Sequence, residues 1–206
     1  KNGNGTVGWV DVERGLVSRE AFTSDDVYRQ EMSRIFDRTW IYLAHESEIP
    51  SPGDYAVRQL GSAPVIVVRD DGGQIRVMLN SCRHRGTKLC RADAGRIDNI
   101  TCPFHGWTYQ RGGALITTGF DHHLPDGTDF SELGLVHAPR VDSFHGLVFA
   151  CWEPDVIDLT DYLGDIGWYL TAFFDRTPDG MEVLAPPHRW RTRANWKIGS
   201  LNFIGD

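Results

Sequence analysis

The pattern of apolar and polar residues predicts mainly β-strands in the middle of the chain and mainly helices in the segments on either side. Between residues 40 and 152, short runs rich in valine, isoleucine and aromatic residues alternate with turn sequences. Runs of this length and composition predict β-strands. They cover residues 40–44, 55–60, 64–69, 74–79, 97–101, 107–110 and 147–152.

Turn sequences separate these runs. Asp71-Gly72-Gly73 joins two of the predicted strands and is typical of a hairpin. Gly112-Gly113 and Asp126-Gly127 predict two further turns. Short strands at this spacing indicate a small antiparallel β-sandwich or barrel over about residues 40–155.

The flanking segments show helical periodicity instead. Residues 23–38 carry apolar side chains at helical spacing, and Thr23 or Ser24 can cap the first turn. The pattern predicts two more helices and two short strands nearer the carboxyl end. The helices cover residues 161–174 and 196–206, and the strands cover residues 181–184 and 189–193.

Composition narrows the class of protein. The chain has 206 residues, 41% of them hydrophobic and 24% charged, which excludes collagen, coiled coil and wholesale disorder. The longest apolar runs, residues 64–68 and 146–152, are far shorter than the ~18 residues that cross a bilayer. The first residues lack the apolar segment of a secretory signal. We therefore expect no membrane association and a cytoplasmic protein.

Charge is unevenly distributed along the chain. The net charge of -7 disfavours nucleic acid as a partner. The segment from residue 82 to residue 111, however, has six basic and two acidic residues, so it carries +4 and the remainder -11. A basic segment in an acidic protein indicates an acidic partner. The six basic residues are Arg83, Arg85, Lys88, Arg91, Arg96 and Arg111.

Cysteine and histidine residues cluster within this basic segment. Cys82-Arg83-His84 is followed 17 residues later by Cys102-Pro103-Phe104-His105, and a glycine comes soon after each half. A four-cysteine disulfide framework belongs mainly to small secreted chains, so metal binding is favoured. Two thiolates and two imidazoles suit either a tetrahedral zinc ion or a two-iron, two-sulfide cluster. Common zinc patterns pair Cys with Cys and His with His, whereas each half here mixes the two.

The motif C-x-H-x17-C-x2-H, with the surrounding CRHRG and CPFHGWTY, resembles the Rieske [2Fe-2S] motif. From about Thr39 to Asp206, including CRADAG at residues 90–95, the chain is similar to the large (alpha) subunit of Rieske non-heme iron aromatic-ring-hydroxylating dioxygenases of the naphthalene and biphenyl type. The resemblance implies that two thiolates hold one iron and two imidazoles the other. The four implied ligands are Cys82, Cys102, His84 and His105.

The resemblance also implies an α+β fold. A Rieske-type antiparallel β-sandwich domain, residues 39–156, would be inserted in a partial α+β catalytic domain of the helix-grip type. Residues 1–38 and 157–206 would be incomplete portions of that second domain.

Other residues near the motif receive lesser roles. The implied shell of the cluster contains Trp107 as a shield against water, together with Arg85, Gly86 and Gly106. Cys90 and Cys151 lie outside the motif and are assigned to packing. His122 and His123 are interpreted as loop histidines, because adjacent side chains of an extended chain point in opposite directions.

A second landmark lies at the carboxyl end. Asn202 and Asp206 match an N-x3-D pattern, with both residues on one face of a predicted helix. The resemblance implies that Asp206 is an electron-transfer bridge, contacting His105 of a neighbouring subunit, and that the helix borders a mononuclear Fe(II) site. The iron ligands, two histidines and a carboxylate, are expected beyond residue 206.

These features together imply the terminal oxygenase of a multicomponent bacterial system. Electrons would pass from NADH through a reductase and a ferredoxin to the Rieske cluster and then to Fe(II), where O2 is added to a small aromatic substrate to give a cis-dihydrodiol. A small beta subunit and an alpha3beta3 or alpha3 oligomer are also implied. The alternatives are a Rieske-type monooxygenase or demethylase, a stand-alone Rieske electron carrier and a zinc-bound interaction module.

Overall fold

The computed structural model describes residues 8–119, 124, 127–189 and 192–204. The chain divides into two compact units, one of residues 36–185 and one of residues 1–35 with 186–206. The described strands are β1 (Val10–Asp11), β2 (Leu16–Val17), β3 (Ile41–His45), β4 (Asp54–Leu60), β5 (Ala63–Arg69), β6 (Ile75–Leu79), β7 (Ala94–Arg96), β8 (Ile100–Thr101), β9 (Thr108–Tyr109), β10 (Leu115–Thr117), β11 (Arg140–Phe144) and β12 (Leu147–Cys151).

The helical segments are mostly short. The described α-helices are α1 (Glu20–Thr23), α2 (Asp25–Glu31), α3 (Leu159–Leu163), α4 (Ile166–Phe174) and α5 (Trp196–Ile204). A π-helical turn covers Met32–Phe36, and 3-10 turns cover Glu46–Glu48 and Phe130–Leu133. No helix among the described residues is long and apolar enough to cross a membrane.

The described residues of the larger unit form three antiparallel sheets. Their strand orders are β6-β5-β4-β7, β11-β12-β3 and β10-β9-β8. Alternation along β5 shows how they pack, since Ile66 and Val68 point into one core while Val65 and Val67 point into another. The four-stranded sheet is therefore covered on both faces, as a sandwich requires. The α+β class with an antiparallel sandwich is thus confirmed.

The first of these cores, which we call the site core, lies beneath the candidate ligands. Its buried members are Tyr55, Val57, Ile66, Val68, Met78, Cys82, Leu89, Cys90, Ile100, Cys102, Trp107, Tyr109 and Leu135. The opposite core joins the four-stranded sheet to β12 through side chains such as Val148 and Ala150. On its other face, β12 packs against a third core, to which Leu159 of α3 and Leu170 of α4 contribute.

The smaller unit joins both ends of the chain. Its α2 begins after Ser24, whose hydroxyl oxygen accepts a hydrogen bond from the backbone N–H of Val27 (3.4 Å), so the predicted cap is confirmed. In the same unit, the carboxylate of Glu31 accepts a hydrogen bond from Trp196 Nε1 (2.9 Å) and also binds the ammonium group of Lys197. The predicted domain boundaries at residues 39 and 156 stay a prediction.

Several predicted elements have different limits in the structure. The predicted helix over residues 23–38 is divided among α1, α2 and the π-helical turn. The predicted helix over residues 161–174 is broken at Gly164, whose φ of +50° ends α3. The predicted strand over residues 97–101 is replaced by β7 and β8, which lie on either side of a turn.

The two carboxyl-terminal strand predictions are wrong. Residues 181–184 form no strand, and neither do 189, 192 and 193, while residues 190–191 lie outside the described part. The segment Met181–Leu184 is rich in apolar residues, but it is exposed and pairs with no described strand. An isolated strand has no ladder of hydrogen bonds to stabilise it. In contrast, β10 and β11 are strands that the pattern did not predict.

Candidate metal centre

The first Cys-His loop follows β6. The backbone N–H of Gly86 donates to the carbonyl of Cys82 (2.8 Å), and the N–H of Cys82 donates to the carbonyl of Thr87 (2.9 Å). Gly86 has a φ of +72°, which side chains other than glycine rarely adopt. These two hydrogen bonds close a tight loop and present His84 at its tip.

The second Cys-His loop joins β8 to β9 and repeats the same hydrogen bonds. The N–H of Gly106 donates to the carbonyl of Cys102 (3.1 Å), and the N–H of Cys102 donates to the carbonyl of Trp107 (2.7 Å). Gly106 has a φ of +74°. Both loops are therefore closed by the same pair of backbone hydrogen bonds. The histidine follows the cysteine by two residues in the first loop and by three in the second.

The loops converge at their histidines. The Nδ1 atoms of His84 and His105 lie 3.1 Å apart, and the two rings meet edge to face with centroids 4.7 Å apart. Two imidazole nitrogens on one tetrahedral metal ion, at about 2.1 Å each, would be separated by roughly 3.4 Å. The observed separation therefore fits two ligands of the same metal ion.

The thiols of Cys82 and Cys102 are buried, free and part of the same site core. Within the described ranges, no three Cys, His, Asp or Glu side chains converge closely enough to enclose one metal ion. A single tetrahedral zinc ion needs four converging ligands, whereas a mixed-ligand [2Fe-2S] cluster takes its protein ligands as one pair on each iron. The donors present fit the cluster.

Tyr109, which the sequence analysis did not single out, contacts this site. Its hydroxyl lies 3.3 Å from the sulfur of Cys82 and accepts a hydrogen bond from the backbone N–H of Arg83 (3.1 Å). The side chain is fully buried. Burial, followed by the hydrogen bond with Cys82, raises the pKa of Tyr109 well above its ordinary value. The phenol therefore stays protonated and can donate to a thiolate sulfur.

Aromatic rings enclose the histidines. The indole of Trp107 is buried and stacks on the ring of His84, with centroids 5.1 Å apart and an interplanar angle of 6°. Phe104 contacts His105 at a centroid distance of 3.9 Å but is 62% exposed. The position of Trp107 agrees with the predicted shield, whereas Phe104 presents an apolar surface beside the site.

Two further residues hold the ligand loops. The buried amide of Asn80 accepts hydrogen bonds from the N–H groups of Leu89 (3.0 Å) and Cys90 (2.9 Å), and it donates to the carbonyl of Cys90 (2.8 Å). It thereby ties together the start and end of the first loop. Gly119 lies against the second loop, where an added Cβ would be 2.4 Å from the carbonyl oxygen of His105.

Of the remaining candidates, Cys90, Cys151 and Asn202 lie among the described residues. Burial raises the pKa of the Cys90 thiol to about 11, as expected for a buried cysteine with a packing role. Cys151 is buried in the third core, which agrees with packing. Asn202 is exposed on α5. His122, His123 and Asp206 lie outside the described residues.

The basic residues divide into two groups. Arg111 is held by the carboxylates of Asp71 and Asp98 and by the carbonyl of Ile97, so it belongs to the fold. Arg96 lies 3.9 Å from a carboxylate oxygen of Asp54. Four others are exposed and form no ion pair with a described residue; we call them the loop cations. They are Arg83, Arg85, Lys88 and Arg91.

Comparison with known proteins identifies the motif. Residues 39–125 match the Rieske [2Fe-2S] domain family. Over 196 residues, or 95% of its length, the chain is 42% identical to the N,N-dimethyl phenylurea N-demethylase subunit alpha of Sphingobium sp. (strain YBL2). It is 40% identical, over 96% of its length, to the biphenyl 2,3-dioxygenase subunit alpha of Rhodococcus jostii (strain RHA1).

The fold agrees with these relatives. The naphthalene 1,2-dioxygenase of Rhodococcus sp. bound to indole superposes with a TM-score of 0.84 at 43% identity, covering 88% of this chain and 41% of that one. The chain spans about 43% of the length of the two sequence relatives. It therefore contains a Rieske [2Fe-2S] domain at residues 39–125, and over most of its length it is similar to the large (alpha) subunits of Rieske non-heme iron oxygenases.

Proposed function

We propose that this chain is the part of a terminal oxygenase that receives electrons. The observation that carries the proposal is the pair of matching Cys-His loops, whose Nδ1 atoms face each other at 3.1 Å. Cys82 and Cys102 would hold one iron of the cluster, and the two histidines the other. A cluster of this type supplies one-electron transfer, at a higher reduction potential than clusters with four thiolates.

The electron donor is proposed to be a small acidic protein, a ferredoxin reduced by an NADH-dependent reductase. Arg83 and Arg85 flank one facing histidine, and the exposed ring of Phe104 lies beside the other. An apolar contact bordered by cations fits a short-lived complex with an acidic partner, which the cations also steer towards the site.

For the complete protein, we propose the addition of both atoms of O2 to a small aromatic ring, giving a cis-dihydrodiol. The relatives named for biphenyl and naphthalene dioxygenation support this assignment.

We also propose Asp206 as the bridge to a mononuclear Fe(II) in a neighbouring subunit, a beta subunit as partner, and an alpha3beta3 or alpha3 assembly. Oxidative N-demethylation is a second candidate, because a demethylase subunit is 42% identical to the chain.

The cluster assignment is tested by two cysteine substitutions in the same core. Cys102→Ser removes a proposed ligand, so the purified protein should lose the red-brown colour and the reduced-state EPR signal of the cluster. Cys90→Ser is the matched control, since Cys90 is also buried in the site core but is not one of the proposed ligands. Equal loss of the cluster in both variants, or a colourless zinc-containing wild type, would contradict the assignment.

The oxygenation proposal is tested with the complete protein, its ferredoxin and its reductase. Incubation with biphenyl under 18O2 should give a dihydrodiol carrying two labelled atoms, whereas an N,N-dimethyl phenylurea should lose a methyl group if demethylation is the function.

In Asp206→Asn, reduction of the cluster should proceed normally while product formation falls by at least tenfold. An undiminished yield of product would remove Asp206 from the electron path.

A further inference from the structure

A buried hydrogen-bond donor at the site has no acceptor among the described residues. The indole Nε1 of Trp107 is inaccessible to solvent, and no described residue accepts a hydrogen bond from it. The whole side chain is only 3% exposed. A buried donor without an acceptor costs free energy, and native proteins rarely leave one unsatisfied.

The ring stacked on Trp107 cannot be that acceptor. The indole and the imidazole of His84 are parallel to within 6°, with centroids 5.1 Å apart. An indole N–H bond lies in the plane of its own ring, so it runs alongside a parallel neighbour and not towards it. The acceptor must therefore lie beside the indole, in the layer next to a ligand of the cluster.

The cysteine sulfurs are excluded in the same way. Cys82 and Cys102 belong to the same core as Trp107, yet neither sulfur accepts a hydrogen bond from Nε1. With no acceptor among the described residues, the acceptors that the proposed [2Fe-2S] cluster would bring into this core are its two inorganic sulfides. They are electron-rich, and hydrogen bonds to sulfur are among the factors that set the potential of such clusters.

We propose that the indole N–H of Trp107 donates a hydrogen bond to a bridging sulfide of the bound cluster and thereby raises its reduction potential. The reduced cluster carries one more negative charge than the oxidised one. A fixed donor stabilises the more negative state. Trp107 thus has a tuning role in addition to shielding the site, and its ring also sets the plane of His84. The inference rests on the cluster of the proposed function but not on the oxygenation chemistry.

Trp107→Phe tests the proposal in the cluster-loaded chain, because phenylalanine keeps an aromatic ring over His84 and removes the donor. The midpoint potential, measured by a titration that follows the EPR signal of the reduced cluster, should fall. The expected fall corresponds to about a threefold to tenfold change in the equilibrium constant for reduction. The matched control is Trp152→Phe, since Trp152 Nε1 donates to the carbonyl of Leu60 (3.2 Å) in the opposite core. Its midpoint should stay at the wild-type value.

Two measurements keep the test decisive if Trp107→Phe loads its cluster poorly. Benzothienylalanine incorporated at position 107 preserves the shape of the indole and replaces only its N–H. In the wild type, tryptophan labelled with 15N in the indole should give a 15N hyperfine coupling in the electron-nuclear double resonance spectrum of the reduced cluster.

The outcomes separate this inference from the proposed function. A loaded cluster whose potential is unchanged without the N–H, together with no indole 15N coupling in the wild type, would overturn the role of Trp107 alone. A wild-type chain that binds no [2Fe-2S] cluster would contradict both proposals.

Discussion

At the scale of single residues, the site core contains two tyrosines, Tyr55 and Tyr109, which differ in their contact with the sulfur of Cys82. The hydroxyl of Tyr109 reaches the sulfur of Cys82, whereas that of Tyr55 has no such contact. Because the oxygen of Tyr109 accepts from the N–H of Arg83, its own proton is free to point at the sulfur. Tyr109 therefore connects the first Cys-His loop to β9, the strand that follows the second Cys-His loop.

Tyr109→Phe should lower the reduction potential of the cluster. Loss of a hydrogen bond to a ligand sulfur removes stabilisation of the reduced state. We expect the potential to fall by on the order of 60 mV, which for a one-electron couple is a tenfold change in the equilibrium constant for reduction. A redox titration followed by circular dichroism measures it. Tyr55→Phe removes a hydroxyl from the same core and should leave the potential unchanged. Equal shifts in the two variants would show that general packing, and not the sulfur contact, is responsible.

At the scale of elements, the second ligand loop is confined from outside by a glycine. Gly119 has a φ of +74°, and an added Cβ would meet the backbone of the loop, 2.4 Å from the carbonyl oxygen of His105 and 2.9 Å from the carbonyl carbon of Gly106. A backbone atom at this distance cannot move aside as a flexible side chain can. The loop geometry therefore depends on the absence of a side chain at residue 119.

Gly119→Ala should displace the second loop and weaken retention of the cluster. We expect the free energy of unfolding to fall by about 1–3 kcal/mol more than in the control variant. Gly180→Ala is that control, since Gly180 has a similar φ of +70° but nothing within 4 Å of an added Cβ. Denaturant unfolding and the iron content after dialysis measure the two effects. Similar losses in both variants would assign the whole effect to backbone strain.

At the scale of the whole molecule, charge is segregated although the net charge is -7. The loop cations lie within a few residues of His84 or at the end of its loop, and they are exposed without ion pairs to the described residues. Arg111, which belongs to the same stretch of sequence, is instead committed to Asp71 and Asp98. The cationic surface offered to a partner is therefore smaller than the sequence indicates.

Arg85→Glu should slow reduction of the cluster by an acidic ferredoxin. We expect a severalfold lower rate constant at low ionic strength and a weaker dependence on salt, because electrostatic steering is screened by ions. Stopped-flow measurement of cluster reduction gives both quantities. Arg176→Glu makes the same change of charge at an exposed site after α4 and should have little effect. A salt dependence that is identical in wild type and Arg85→Glu would exclude this residue from the docking surface.

Elements that are specified by neighbouring residues were predicted from the sequence, whereas elements that depend on distant residues were not. Strands β4, β5 and β6 were predicted nearly to the residue, because the Val- and Ile-rich run of β5 and the Asp71-Gly72-Gly73 turn are encoded within a few positions. The strand β11 was missed because its exposed positions dilute the apolar pattern. The segment 181–184 has the apolar content of a strand but lacks a partner among the described strands, which no local pattern reveals.

The amino-acid sequence by itself indicated which residues we propose as ligands, because the spacing of Cys82 to His84 and of Cys102 to His105 is set by the covalent order of residues in two short loops. Only the tertiary structure decided what surrounds those ligands. Tyr109 reaches Cys82 across 27 positions, and Gly119 meets His105 across 14. Contacts of this kind arise from the packing of sheets that are distant in sequence, so their partners become known only when the chain is folded.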